Sequence, residues 1–198
     1  MKPERDHVVP RCLYPGSRAE SRVQRLTVPS CPECNRGWSD DEAHFRNVML
    51  VAGDTNPAVQ ELWTTTARRG FTESDGRRRL QDLAGGLVEV QVDGHRRYKI
   101  YPGQDARVLR IIKKVVRGLA HYHRVETAIP ESRITADVLK FQIPDVVSRG
   151  IQYQHREADI FQYWYDSPEH DEFSSIWLLK FFQRRTFIAF VSHVEGPK

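Results

Sequence analysis

The residues best equipped for chemistry lie near the N-terminus. Asp6 and His7 are adjacent, and the turn Cys31-Pro32-Glu33-Cys34-Asn35 follows a β-prone stretch from Arg25 to Val28. Asp6 and Asn35 offer hard oxygen ligands of the kind that suit Mg²⁺ or Mn²⁺. His7 titrates near neutrality, so its neutral imidazole could take a proton from water. A divalent cation polarising a phosphate beside such a base is what hydrolysis of a phosphodiester requires.

These groups need elements that bring them together. Residues 1 to 38 read as strands and loops: His7-Val8-Val9 is apolar after the pair, Pro15-Gly16 marks a turn, and Arg25 to Val28 favours a strand. A helix should start at Ser39, with Glu42 completing a capping box and Asp40 and Asp41 complementing the helix dipole. Phe45, Val48, Met49 and Ala52 carry its buried face, and Gly53-Asp54 ends it. Asn56 before Pro57 restarts a helix with Val59, Leu62 and Trp63 on one side. Residues 68 to 79 read as a polar loop, with a short helix to Leu83.

Further along, two β-prone runs flank Asp93-Gly94, a hairpin signal. Residues 104 to 120 give the clearest helix. Val108, Ile111, Ile112, Val115, Val116 and Leu119 form its apolar stripe, with Arg107, Arg110, Lys113, Lys114 and Arg117 off it. Residues 130 to 157, with Pro130 and Pro144 as breakers, fit neither pattern well. Residues 159 to 192 read as an antiparallel meander with a tight turn at Gln183 to Arg185. The expected class is α+β: a small motif over residues 1–53, then a mixed helix and antiparallel-sheet region over 54–198 that serves substrate or partner.

Composition narrows the function classes. The chain has 198 residues and a formal charge of +4, with an isoelectric point near 9.0. A mildly basic protein suits a polyanionic partner without requiring one. No apolar run approaches the roughly 18 residues of a membrane span, so no membrane partner is expected. The polar N-terminus carries no signal peptide, and Cys31-x-x-Cys34 among three cysteines suggests reduced thiols or a metal. The expected location is cytoplasmic.

The segments Asp6-His7-Val8-Val9-Pro10 and Val28-Pro29-Ser30-Cys31-Pro32-Glu33-Cys34-Asn35-Arg36-Gly37-Trp38-Ser39-Asp40 together resemble the HNH family of nucleases, the ββα-metal or His-Me finger group. The run Asn35 to Asp40 is also similar to the corresponding run in the HNH domain of RNA-guided CRISPR nucleases. The resemblance spans about residues 5 to 46. It implies a ββα-metal fold for this stretch, His7 as general base, and Asp6 and Asn35 as ligands of a catalytic divalent metal, Mg²⁺ before Mn²⁺. It implies an endonuclease acting on nucleic acid, with DNA the expected substrate.

Two departures accompany it. The family's middle Asn falls where this chain has Arg25 or Leu26. Many relatives also carry a Cys pair ahead of the Asp-His pair, where only Met1 to Arg5 stand here. Structural zinc would draw on Cys31, Cys34 and Cys12, with a fourth ligand that spacing does not name. Zinc is therefore expected at less than one per chain.

Other readings stand beside these. Arg36, Arg77, Arg78, Arg79, Arg107, Arg110 and Lys114 are candidate phosphate contacts, yet those of the 107–117 helix also fit a solvated face. His121-Tyr122-His123 fits a helix end with surface imidazoles. Tyr163, Trp164, Tyr165, Trp177 and Phe181 fit a core better than a stacking platform. The alternative functions are a non-catalytic nucleic-acid-binding protein on a degenerate finger, and a protein-interaction module.

Overall fold

The computed structural model describes residues 4–18, 25–52, 56–140, 152–156, 159–168 and 173–193, without the side chains of residues 34 and 152–156. The fold is α+β, as expected. Strands β1 (Glu4–His7) and β2 (Thr27–Ser30) pair antiparallel, with Asp6 opposite Val28 and His7 opposite Thr27. Helix α1 (Pro32–Arg36) follows β2 at once, and α2 (Ser39–Val51) follows α1 after Gly37 and Trp38.

The expected capping box at Ser39 does not form. Trp38 holds the cap position with a helical backbone and no side-chain cap bond. Its carbonyl already accepts the Glu42 N–H at 2.8 Å, because the chain runs almost helically from α1 into α2. Glu42 is then free to turn its carboxylate toward another helix. The apolar face is as read: Phe45, Val48, Met49 and Ala52 are all buried. The expected end at Gly53-Asp54 lies outside the described residues.

Helix α3 (Pro57–Leu62) starts as the Asn-Pro pair predicts, with Asn56 accepting the Val59 N–H at 2.9 Å. It continues through a π-helical turn (Trp63–Ala67) into α4 (Arg68–Thr72), and α5 (Gly76–Gly85) follows. Residues 68 to 79 are therefore mostly helical rather than loop. Arg and Leu are good helix formers, and a polar exposed helix carries little apolar periodicity to read. Gly76 makes the α4–α5 corner: a β-carbon there would lie 2.0 Å from the Phe71 carbonyl oxygen.

Strands β3 (Leu87–Val92) and β4 (His95–Ile100) form the hairpin, with positive φ at Asp93 (51°) and Gly94 (74°), as a two-residue type I′ turn requires. Helix α6 (Ala106–Tyr122) is capped by Asp105, whose Oδ1 accepts the N–H groups of Arg107 (2.9 Å) and Val108 (3.2 Å). All six residues of its predicted stripe are fully buried. At about 1.5–3 kcal/mol per buried aliphatic side chain, that burial outweighs any local propensity in forming the helix.

The C-terminal half is one antiparallel sheet, ordered β5 (Ile134–Val138), β9 (Arg185–Ser192), β8 (Phe173–Phe181), β7 (Phe161–Asp166), β6 (Gln152–Arg156). The stretch that fitted neither pattern thus supplies its two edge strands, while residues 141–151 lie outside the description. The β8–β9 turn sits one residue earlier than read, with positive φ at Phe182 and Gln183. His123 differs from the surface reading: its Nε2 meets the Tyr163 hydroxyl at 2.9 Å and its Nδ1 the Tyr165 hydroxyl at 3.1 Å, while His121 stays exposed. Tyr163, Tyr165, Trp177 and Phe181 are buried, as a core reading expects, while Trp164 is only half-buried.

One contiguous core joins both sides of residue 53. Phe45 of α2 packs edge-on to Phe181 at 5.1 Å. Arg184 donates to the carbonyls of Met49 (3.1 Å) and Leu50 (3.2 Å), and Arg185 to that of Ala52 (3.4 Å). Those carbonyls have no partner inside α2, so the β8–β9 corner finishes the helix. Among the described residues, no helix is long and apolar enough to cross a membrane.

Candidate functional site

Strand alternation sorts the residues of β1. Glu4 and Asp6 share one face, and His7 leaves the other. Asn35 in α1 donates its side-chain N–H to Glu4 Oε2 at 3.0 Å. Asn35 therefore reaches β1 on the face that Asp6 shares, through Glu4, which stands about 7 Å from Asp6 along the strand. The Asn35 amide oxygen has no partner among the described residues. Asp6, Asn35 and Glu4 supply hard oxygen donors on that face, a set that fits Mg²⁺ or Mn²⁺ in kind.

A cation of the chain itself already meets Asp6. Lys114 Nζ donates to Asp6 Oδ1 at 3.0 Å and to Glu42 Oε1 at 2.6 Å. Lys114 is only 7 % exposed, so this pair of contacts is screened little by water. The bridge ties β1, α2 and α6 together. It lies in the wall of a half-open cleft of about 410 Å³, lined by Asp6, Val28, Trp38, Arg110, Lys114 and Arg117 among others. Gly118 sets how close α6 comes. A β-carbon there would fall 2.9 Å from both γ-carbons of Val8, the residue after His7.

His7 is half-buried, and its Nδ1 is buried without a hydrogen-bond partner among the described residues. Burial, and then the charges of Arg25 and Arg11, lower its pKa from the ordinary histidine value, against an opposing pull from Asp6. The lowered pKa favours the neutral ring, the form a general base needs.

The thiols follow a different logic. Cys12 donates to the Glu42 carbonyl at 3.4 Å, and burial pushes its pKa up to about 12. A zinc ligand must be a thiolate, so this environment disfavours Cys12 in that role. Cys31 is exposed, and the side chain of Cys34 lies outside the description. Among the described residues, no three His, Cys, Asp or Glu side chains gather as a metal-holding group.

The candidate phosphate contacts divide sharply. Arg107 donates to Asp41 (2.8 Å), Asp82 (3.0 Å) and the Asp40 carbonyl (2.9 Å). Arg110 donates to Asp41 at 2.6 Å and lies over the Trp38 ring at 4.5 Å. Arg79 is held by the Gly70 carbonyl (3.0 Å) and Glu73 (3.2 Å), and Arg78 lies 3.6 Å from Asp40. Arg36 stays mostly exposed, 3.8 Å from Glu4. Arg77 is exposed and has no ion pair among the described residues.

The acidic first turn of α2 thus faces the basic row of α6, and His44 Nε2 donates to the cap residue Asp105 at 2.6 Å. Burial alone would raise the Asp105 carboxyl. Hydrogen bonds from His44 and from the Val108 and Arg107 N–H groups outweigh this and lower it. Sequence reasoning missed Glu4 and Trp38 as parts of the site, and it gave Glu42 to helix capping before an extended acidic site. The signal available was the 107, 110, 114 spacing, one helix stripe of a length to match an acidic turn.

Compared with protein-family models, with curated proteins and with solved structures, the chain matches none.

Proposed function

We propose that this chain is a metal-dependent endonuclease of the HNH type, hydrolysing phosphodiester bonds of nucleic acid, with DNA as substrate. The observation that carries the reading is Asp6 in the wall of a basic cleft, with Asn35 bonded to Glu4 on the same face of β1 and His7, its pKa lowered, next in sequence on the strand's other face. Asp6 and Asn35 would hold the divalent ion, which when bound polarises the phosphate and stabilises charge on the leaving oxygen. His7 takes the proton of the attacking water. Arg117, exposed and without an ion pair among the described residues, and Lys114 at the cleft wall hold the phosphate in place.

A second reading, a non-catalytic nucleic-acid-binding protein, is favoured by one observation. The Lys114 ammonium already neutralises Asp6, so the bridge could stand where a metal otherwise would.

A plasmid-nicking assay with Mg²⁺, Mn²⁺ or EDTA separates the two. The nuclease reading expects cutting with either metal, none with EDTA, and a rate about 10²- to 10⁴-fold lower in His7→Ala, the usual worth of a general base. Salt-sensitive binding without cutting supports the second reading. Cutting in EDTA, or a folded His7→Ala variant at full rate, defeats the first.

A further inference from the structure

The basic residues Arg107, Arg110 and Lys114 of α6 are held in ion pairs with α2 and β1, but those on one face of the β3–β4 hairpin are not. The hairpin is a separate two-stranded sheet: of its fourteen residues from Leu87 to Ile100, eleven are exposed and only Ile100 is buried. Its register places Val88 opposite Lys99, Val90 opposite Arg97 and Val92 opposite His95. Directly paired residues share a face. One face therefore carries a row of three valines beside a row of His95, Arg97 and Lys99.

All three of those basic residues are exposed, and none has an ion pair or hydrogen bond from its side chain to another described residue. On the opposite face Arg96 is paired with Glu89 at 3.0 Å. Chains often guard an edge strand with scattered charge. Here the unpaired charges fall in register on one face, spanning about 14 Å.

We infer that this hairpin is a β-ribbon that enters the major groove of duplex DNA. Arg97 and Lys99 neutralise phosphates, and the valine row lies against the base edges, where thymine methyls offer apolar contact. The B-form major groove, about 12 Å wide, admits a two-stranded ribbon. The A-form major groove of RNA is too deep and narrow for one. The ribbon thus selects duplex DNA over duplex RNA, a choice the sequence alone leaves open. Its root supports the role: β4 runs through a short turn (Pro102–Gln104) into Asp105, which His44 of α2 holds. The inference rests on the nucleic-acid reading of the preceding section but not on catalysis.

The test uses the full chain in EDTA, with binding of a short labelled DNA duplex followed by fluorescence anisotropy as salt rises. Removing two phosphate contacts with Arg97→Gln/Lys99→Gln should make the slope of log affinity against log salt shallower by about 1.8. The affinity lost between about 50 and 200 mM salt then shrinks by about tenfold. Arg97→Glu/Lys99→Glu should weaken binding further, and an RNA duplex should bind wild type less tightly than DNA.

Absent DNA binding by wild type, or an unchanged affinity and slope in both variants, overturns the inference. So does equal, ribbon-dependent binding of the RNA duplex. A wild-type dimer that the charge reversals dissociate, seen by sedimentation velocity, assigns the ribbon to a second copy instead. Binding to anionic phosphatidylserine vesicles in preference to DNA assigns it to a membrane. Nicking with Mg²⁺ is scored separately: ribbon-dependent binding without nicking upholds the ribbon and defeats the nuclease, and nicking with a silent ribbon does the reverse.

Discussion

Lys114→Met isolates the contact on which the site's geometry depends. The methionine keeps most of the stem and removes the ammonium that stands between Asp6 and Glu42, at 3.0 and 2.6 Å. Both carboxylates are largely shielded, with exposures of 13 and 20 %, so neither is rescued by water. Removing one partner of such a buried pair costs about 3–5 kcal/mol. That is a large share of the roughly 5–15 kcal/mol that holds a native protein together. For a chain of this size it corresponds to a melting point lower by about 6–20 °C.

Urea unfolding in EDTA measures the loss. Lys114→Met/Glu42→Gln should recover part of it, because one uncompensated charge goes with the ammonium. Mg²⁺ should recover more in Lys114→Met than in wild type. The ion would then meet Asp6 without a competitor, and a ligand at about 100 times its Kd stabilises by about 2.7 kcal/mol. A Lys114→Met variant within about 1 kcal/mol of wild type, the scale of an exposed pair, would refute the view that this bridge clamps β1 to α2 and α6.

Three further outcomes are expected. Because the folded pKa of His7 is lowered, the acid limb of nicking should lie below pH 6.5; by linkage, its contribution to stability is full above pH 6.5 and lost as pH falls through the folded value, so His7→Gln should flatten that decline in urea titrations. Gly118→Ala puts a β-carbon 2.9 Å from two Val8 carbons and should destabilise by about 1–3 kcal/mol; Val8→Ala in the same chain should relieve it, a coupling that a double-mutant cycle reads directly. With its pKa pushed up to about 12, Cys12 should resist a thiol reagent at pH 8 while Cys31 reacts, and peptide mass mapping after unfolding should show both labelled.

What the sequence made legible was local. Asp93-Gly94, Asn56-Pro57 and the apolar stripe of α6 each specify their element through neighbours within a few residues, and each forms as read. The misreadings arise where a distant partner overrides a near one. Ser39 and Glu42 have the spacing of a cap, but Lys114, remote in sequence, draws Glu42 away. His121 and His123 look alike in sequence, yet the helix ends between them and only His123 turns toward two tyrosines. Charges announce themselves in a sequence without naming their partners. Arg107 and Arg110 were therefore readable as basic and not as the counter-ions of Asp41.

The closure of α2 by Arg184 has a consequence for how the chain is made. The carbonyl of Leu50 waits for a donor 134 residues further on. At about 5–20 residues per second, the ribosome needs about 7–27 s to supply it. Throughout that interval the Asp-His pair is synthesised but its scaffold is incomplete, because first α6 and then the last hairpin is still missing. On the nuclease reading, a nascent chain would thus carry the proposed catalytic groups without the means to align them, and a fragment ending near residue 53 would inherit the same defect permanently. The motif is recognisable in a few dozen residues, but its activity would be a property of the finished fold.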